Sequence, residues 1–168
     1  MIFVNGHEVV LDEQEQLEAW TSYGRIVKLA MDFIKTCPKD AANHLPWYLQ
    51  YSCFWIDPLR PTDWPDNPAG KFAWAVTTVL KYYPYSGKRD FVDIVVAMLD
   101  HLWDQRTPKS FLWDEIPYSS AHPGTGVYFG ARGDGEYVTE PDKVAQVGKA
   151  YLDLYKLTAE GRFLQHAE

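Results

Sequence analysis

Four carboxylates fall within nine positions of this chain: Asp134, Glu136, Glu140 and Asp142, with Asp114 and Glu115 upstream of them. Paired carboxyls do acid–base work when one keeps its proton and the other stays ionised, so that one donates while the other activates water or attacks. Charges crowded this closely repel unless they are solvated, paired or sharing a proton, and sharing raises one pKa. Gly133 and Gly135 flank Asp134 and let backbone approach a ligand closely. Structural roles compete for the same residues. Asp142, after Pro141, reads as a first-turn carboxylate facing a helix dipole, with Thr139 or Glu140 as the N-cap. Asp134 between two glycines is also a turn former, and Glu140 can cap or project into a cleft. The candidate acidic site is Asp134, Glu136 and Glu140.

Aromatic residues are the second feature, at 15% of the chain. A Trp or Tyr ring offers a flat apolar face with a polar edge, which suits stacking on a sugar ring. Trp20, Tyr83 and Tyr151 fall on helical stripes and read as core. Trp64, Trp113 and Tyr137 fall between periodic segments, where a ring is either a platform or a plug for the end of a bundle, and we take them as shaping the acidic site. His122 and Tyr128 flank Pro123-Gly124-Thr125-Gly126. Such a pair can take the proton beside a uronic carboxylate, the task of a polysaccharide lyase or epimerase, so both are carried as substrate-contacting candidates.

Several classes are excluded. A formal charge of −7 lacks the basic footprint that phosphate neutralisation demands, so no nucleic-acid partner is expected. No apolar run approaches the ~20 residues of a membrane span. Two cysteines, Cys37 and Cys53, and five scattered histidines give no metal-ligand spacing, so neither metal nor cofactor is expected. Gly124-Thr125-Gly126 lacks the lysine of a phosphate loop and precedes no helix. The opening Met1-Ile2-Phe3-Val4 runs at once into Asn5, Gly6, His7 and Glu8, unlike a signal peptide. The expected location is cytoplasmic if Met1 is the native start and extracytoplasmic if a leader precedes it.

The elements that must position these residues are mostly helices, and they follow in order along one domain. Residues 1–11 read as a β-hairpin about Asn5-Gly6, the strongest two-residue hairpin turn. Residues 12–37 read as a helix, with Trp20, Tyr23, Val27, Ala30, Met31 and Ile34 on one face and Pro38 as its stop. Residues 38–69 hold too many prolines for a long helix and read as an aromatic-rich loop, with Tyr48 to Trp55 either a short strand or a turn of helix. A helical hairpin follows over 70–106, broken at Pro84 to Gly87. Residues 107–140 are a long Gly-rich connection, and 141–168 begin the next hairpin.

Shifting the chain by 72 residues superposes the hairpins: Ala73 on Ala145, Leu80 on Leu152, Tyr83 on Tyr155 and Phe91 on Phe163. Ser86 meets Thr158 at the break. The first hairpin's second helix has its counterpart cut short, as though the chain were an N-terminal piece of a helical-hairpin array.

Three segments carry a resemblance. They are Trp64-Pro65-x-Asn67-Pro68-Ala69-Gly70, the Leu80-Lys81-Tyr82-Tyr83-x-Tyr85-Ser86-Gly87 turn, and Gly135-x-Tyr137-Val138-x-Glu140-Pro141-Asp142-Lys143-Val144-Ala145. With Gly148-x-Ala150-Tyr151-Leu152-x-Leu154-Tyr155 and Arg162-Phe163-Leu164, the chain resembles bacterial six-hairpin glycosidase-like proteins from about Trp20 onward. The resemblance implies an all-α fold of antiparallel helical hairpins from an incomplete (α/α)6-type toroid. It also implies a carbohydrate ligand at the toroid's wide end and glycoside hydrolysis by paired carboxylates, here Asp134, Glu136 and Glu140. Trp64, Trp113, His122, Tyr128 and Tyr137 would then contact substrate. The chain is too short to close such a toroid, so by itself it can be inactive.

A non-catalytic helical-repeat module, binding a glycan or a protein, is the alternative; a uronate-directed lyase or epimerase is the second. The remaining expected partner is the rest of a longer chain, or a second copy of this one, on an exposed apolar flank where the next hairpin would dock. The isolated chain is expected to self-associate. Light scattering after size exclusion tests this, and a monomer with a sharp thermal transition contradicts it.

Overall fold

The structure, a computed structural model, describes residues 2–4, 7–9, 11–16, 23–51, 65–121, 128–129 and 139–168. It forms two compact units, Met1–Cys37 and Pro38–Glu168. The first contains β1 (Ile2–Val4), β2 (His7–Val9) and α1 (Tyr23–Thr36). β1 and β2 pair antiparallel with Val4 opposite His7, the register that a two-residue connection imposes. The helix expected from Asp12 does not start there. Asp12 Oδ1 accepts from the N–H of Gln14 at 2.9 Å and of Gln16 at 2.8 Å, and Glu15 stands at φ 58°. A carboxylate that captures the amides ahead of it closes a turn, and a side chain at positive φ interrupts a right-handed helix. In α1, Met31 and Ile34 are buried as the periodicity requires, whereas Val27 and Ala30 are exposed.

The second unit begins with a strap, residues 38–51, that the proline content alone would leave irregular. It is held by polar side chains. Asp40 accepts from the Tyr51 hydroxyl at 2.7 Å and from the Ala42 N–H at 2.7 Å. Burial and this carboxylate push the Tyr51 hydroxyl up to about 12. Asn43 and the fully buried Gln50 exchange amide hydrogen bonds of 2.6 and 3.2 Å. Of the stretch Tyr48 to Trp55, open between strand and helix, the described part starts as a 3₁₀ turn at Trp47–Leu49, and residues 52–55 lie outside the described residues.

Among the described residues, four helices complete the unit: α2 (Pro68–Ser86), α3 (Arg89–Asp104), α4 (Pro141–Thr158) and α5 (Gly161–Gln165). Between α3 and α4 lie two residue pairs in sheet form, β3 (Ser120–Ala121) and β4 (Tyr128–Phe129), within what the glycine content suggested was only a loop. α2 packs against both α3 and α4, so apolar residues appear on more than one of its faces, with Phe72, Ala73, Ala75, Val76 and Val79 all buried. On α3 the expected stripe of Phe91, Val95, Met98, Leu99 and Leu102 is buried throughout. No helix among the described residues is long and apolar enough to cross a membrane.

α2 does not stop at Pro84. The proline is accommodated in the last turn, and the helix ends at Gly87 with φ 65°, whose N–H reaches Tyr83 O. Seventy-two residues on, Ala159 takes the same left-handed cap at φ 58° with its N–H on Tyr155 O. Ser86 Oγ accepts from Lys88 N–H at 3.3 Å, and Thr158 Oγ1 accepts from Glu160 N–H at 3.2 Å. The repeat is thus expressed in the turns. It is weaker on the helix faces: Phe91 and Phe163 are both buried, but Ala145 and Leu152 are exposed where Ala73 is buried and Leu80 half-buried.

Tyr151 and His166 lock the short α5 in place. The fully buried Tyr151 donates its hydroxyl to Leu99 O at 2.7 Å. The His166 ring stacks on Trp103 at 3.6 Å between centroids and 8° between planes, and meets Tyr151 edge-on at 5.3 Å. Its Nδ1 is buried with no hydrogen-bond partner. Burial, then the Arg162 and Arg106 guanidiniums, hold His166 below the usual histidine range against the opposing charges of Asp100 and Asp104.

Two outcomes follow from this packing. Ala159→Gly, which relieves a side chain from the left-handed region, is expected to raise stability by about 1 kcal/mol in chemical denaturation; no gain would contradict the cap assignment. For His166, the unfolded chain binds more protons than the folded one. Its contribution is therefore complete above the unperturbed value of 6.5 and is lost as pH falls through the folded-state value. An NMR titration is expected to place the His166 midpoint below 6.5, and a midpoint at or above 6.5 contradicts it.

Candidate functional site

Two of the sequence segments singled out above meet in space. Both open a helix with proline in the first turn, α2 after Asn67 and α4 after Glu140. Asn67 takes the left-handed conformation at φ 50° and its side chain accepts from Gly70 N–H at 3.2 Å, capping α2. A Cβ at Gly70 would lie 2.6 Å from Asn67 Oδ1 and 2.9 Å from Lys143 Cδ. Glycine is therefore what lets the Asn67 cap and the Lys143 stem of α4 share this spot. Further along, Thr77, Leu80 and Lys81 of α2 line one groove with Lys149, Asp153 and Lys156 of α4, so the two helices run in the same direction with their N-termini together.

A cavity of about 420 Å³ opens at the start of α4, lined by Trp113, Ile116, Thr139, Pro141, Val144 and Ala145. Trp113 reaches it from the connection after α3 and is 57% exposed. Val144 and Ala145 lie in the first five residues of α4, and the side they contribute is apolar. Thr139 contributes a hydroxyl that is buried with no hydrogen-bond partner. Glu140 lies between two lining residues. It occupies the N-cap position in an extended conformation, φ −113° and ψ 107°, yet its side chain makes no capping bond, and neither does that of Thr139. Capping therefore does not account for Glu140. Asp142 does have a structural role: it is exposed, ion-paired with Lys143 at 2.8 Å, and held below the usual carboxylate range first by that hydrogen bond. A carboxyl kept ionised in this way is a poor proton donor.

Of the sequence-derived candidates, the structure brings Trp113 to the Glu140 segment. Asp134, Glu136, Tyr137, Trp64 and His122 lie outside the described residues. Tyr128 is in β4, its backbone opposite Ala121. Ile116, Val144 and Ala145 were not singled out for the cavity, because a small apolar residue that lines a pocket has no sequence mark distinguishing it from core. Among the described residues, no group of three or more His, Cys, Asp or Glu could hold a metal ion.

No protein-family model matches the sequence, and no curated protein matches it. Among solved structures, the chain is similar to a family 76 glycoside hydrolase from a bovine Bacteroides thetaiotaomicron strain. The TM-score is 0.54 at 15% sequence identity, over 83% of this chain and 27% of that one. What the two share is the fold. The helical-hairpin, all-α architecture expected from the sequence is thereby established, and this chain spans about a quarter of the length of that hydrolase.

Proposed function

We propose that this chain forms part of a carbohydrate-processing protein, a glycoside hydrolase in which the cavity at the start of α4 is a sugar subsite. The observation that carries the reading is the cavity itself. An exposed Trp ring lines it together with apolar residues of α4, and a glutamate that does not cap its helix lies in sequence between two of the lining residues, Thr139 and Pro141. A sugar ring has apolar C–H faces and a polar rim, so a Trp face provides stacking while a nearby hydroxyl such as that of Thr139 offers a hydrogen bond. Likeness in fold to a family 76 glycoside hydrolase supports the same class.

In this reading the acid and the base, or nucleophile, of glycosidic cleavage come from Asp134, Glu136 and Glu140. One protonates the leaving oxygen, and the other activates water or attacks the anomeric carbon. The remaining sugar-contacting side chains are Trp64, His122, Tyr128 and Tyr137. A neutral glycan fits better than a uronate. Among the described residues, the cavity lining is uncharged and offers no cation to a carboxylate ligand, and the adjoining Lys143 is already ion-paired with Asp142. This favours hydrolysis over the lyase or epimerase alternative.

The test uses the protein at its full natural length with neutral hexasaccharides of glucose, mannose and galactose, against oligogalacturonate. Glu136→Gln or Glu140→Gln is expected to lower turnover about 10²–10⁴-fold with affinity nearly retained, the loss typical of a missing acid or base. Trp113→Ala is expected to weaken binding about tenfold, the scale of a lost aromatic contact. Binding that survives with no turnover on any glycan would instead establish the non-catalytic module, and an unchanged affinity in Trp113→Ala would remove the subsite.

A further inference from the structure

We infer that Thr107 is the positioning residue of the Trp113 platform, an inference that rests on the reading of the cavity as a sugar subsite. Thr107 lies just beyond α3, is 2% exposed, and bonds to the far side of its own loop through every polar group it has. Its N–H donates to Ile116 O at 2.9 Å, and its carbonyl accepts from Glu115 N–H at 2.9 Å. Its Oγ1 accepts from Ile116 N–H at 3.1 Å and donates to Trp113 O at 2.5 Å. The other carbonyl within reach, Ile116 O, is farther away at 3.3 Å, so the single hydroxyl proton goes to the nearer Trp113 O.

The clip explains an otherwise unfavourable arrangement. The loop tip presents Leu112 at 84% exposure and Trp113 at 57%, and Glu115 is held at φ 55°. A large apolar pair at a loop tip is expected to fold back onto the adjacent apolar floor unless its backbone is fixed. Thr107 fixes it. Its hydroxyl grips the backbone of Trp113 and Ile116, two of the cavity's lining residues, from a buried position. The wall contributed by the connection is therefore set by one side chain, while the opposite wall belongs to α4. Thr107 touches no ligand in this scheme; it determines where the ring stands and so how much binding energy the ring can contribute.

Thr107→Val keeps the shape of the side chain and removes both hydroxyl bonds, leaving the two backbone bonds; Thr107→Ser keeps the hydroxyl. The readout is the Trp113 indole N–H resonance, assigned by its disappearance in Trp113→Phe, together with KM and kcat on the neutral hexasaccharides. Thr107→Val is expected to shift or broaden the indole resonance and raise KM about tenfold with kcat within about twofold. Thr107→Ser is expected to restore both. The inference is overturned if Thr107→Val leaves the resonance and KM unchanged, or if Thr107→Ser fails to rescue them. If the resonance moves but no hexasaccharide binds to any form of the protein, the clip stands and the sugar reading falls, so the two failures are distinguishable.

Discussion

Tyr151 is the side chain on which the second unit depends. It lies at the middle of α4, fully buried, and ties that helix to α3 through the hydrogen bond to Leu99 O. The rings of Phe163 and His166 rest against it from α5 and the residue beyond, and Trp103 meets it edge-on from α3. Burying a phenol costs its hydration unless the hydroxyl finds an acceptor, and here the acceptor is a carbonyl of the neighbouring helix. The same bond that satisfies the hydroxyl therefore fixes the depth of α4 against α3. A five-residue helix such as α5 has little stability of its own, and it persists because its phenylalanine and the following histidine complete this aromatic cluster.

With α4 placed in this way, the rest of the candidate site follows. α4 runs alongside α2 in the same direction, so two proline-led N-termini arrive at one end and the cavity opens beside the second of them. Close approach at that end is permitted by Gly70, where a methyl group would collide with the Asn67 cap and the Lys143 stem. The connection after α3 then has only to return to α4 with its tryptophan outward, and buried Thr107 supplies the fold-back. The wall that carries Trp113 is set by hydrogen bonds, and the α4 side by the packing that places that helix.

Much of this was legible in the residues. α3 could be read almost completely because one face is apolar at every third or fourth position and the other is charged. α2 was harder. It is covered on two sides, so a single stripe under-describes it, and Ala75 and Tyr82 were not distinguishable from its exposed positions. Pro84 looked like a terminator, but a proline in the last turn forfeits only a bond near the helix end, and the left-handed Gly87 is what ends it. The acidic residues ahead of α1 suggested a helix start; Asp12 used its carboxylate to close a turn instead.

By itself the sequence determined the class of fold, the helical hairpins, the proline-led helix starts and the 72-residue repeat that reappears in the turns at Gly87 and Ala159. These are local properties, because periodicity, capping and the conformational range of proline and glycine act within a few residues of chain. Only the tertiary structure decided that Trp113 lines a cavity with Thr139 and Pro141, on either side of Glu140, that Glu140 does not cap α4, and that Thr107 holds the loop carrying Trp113. The first depends on residues far apart in the chain meeting at one cavity, and a threonine that clips a loop is spelled the same way as one that does not.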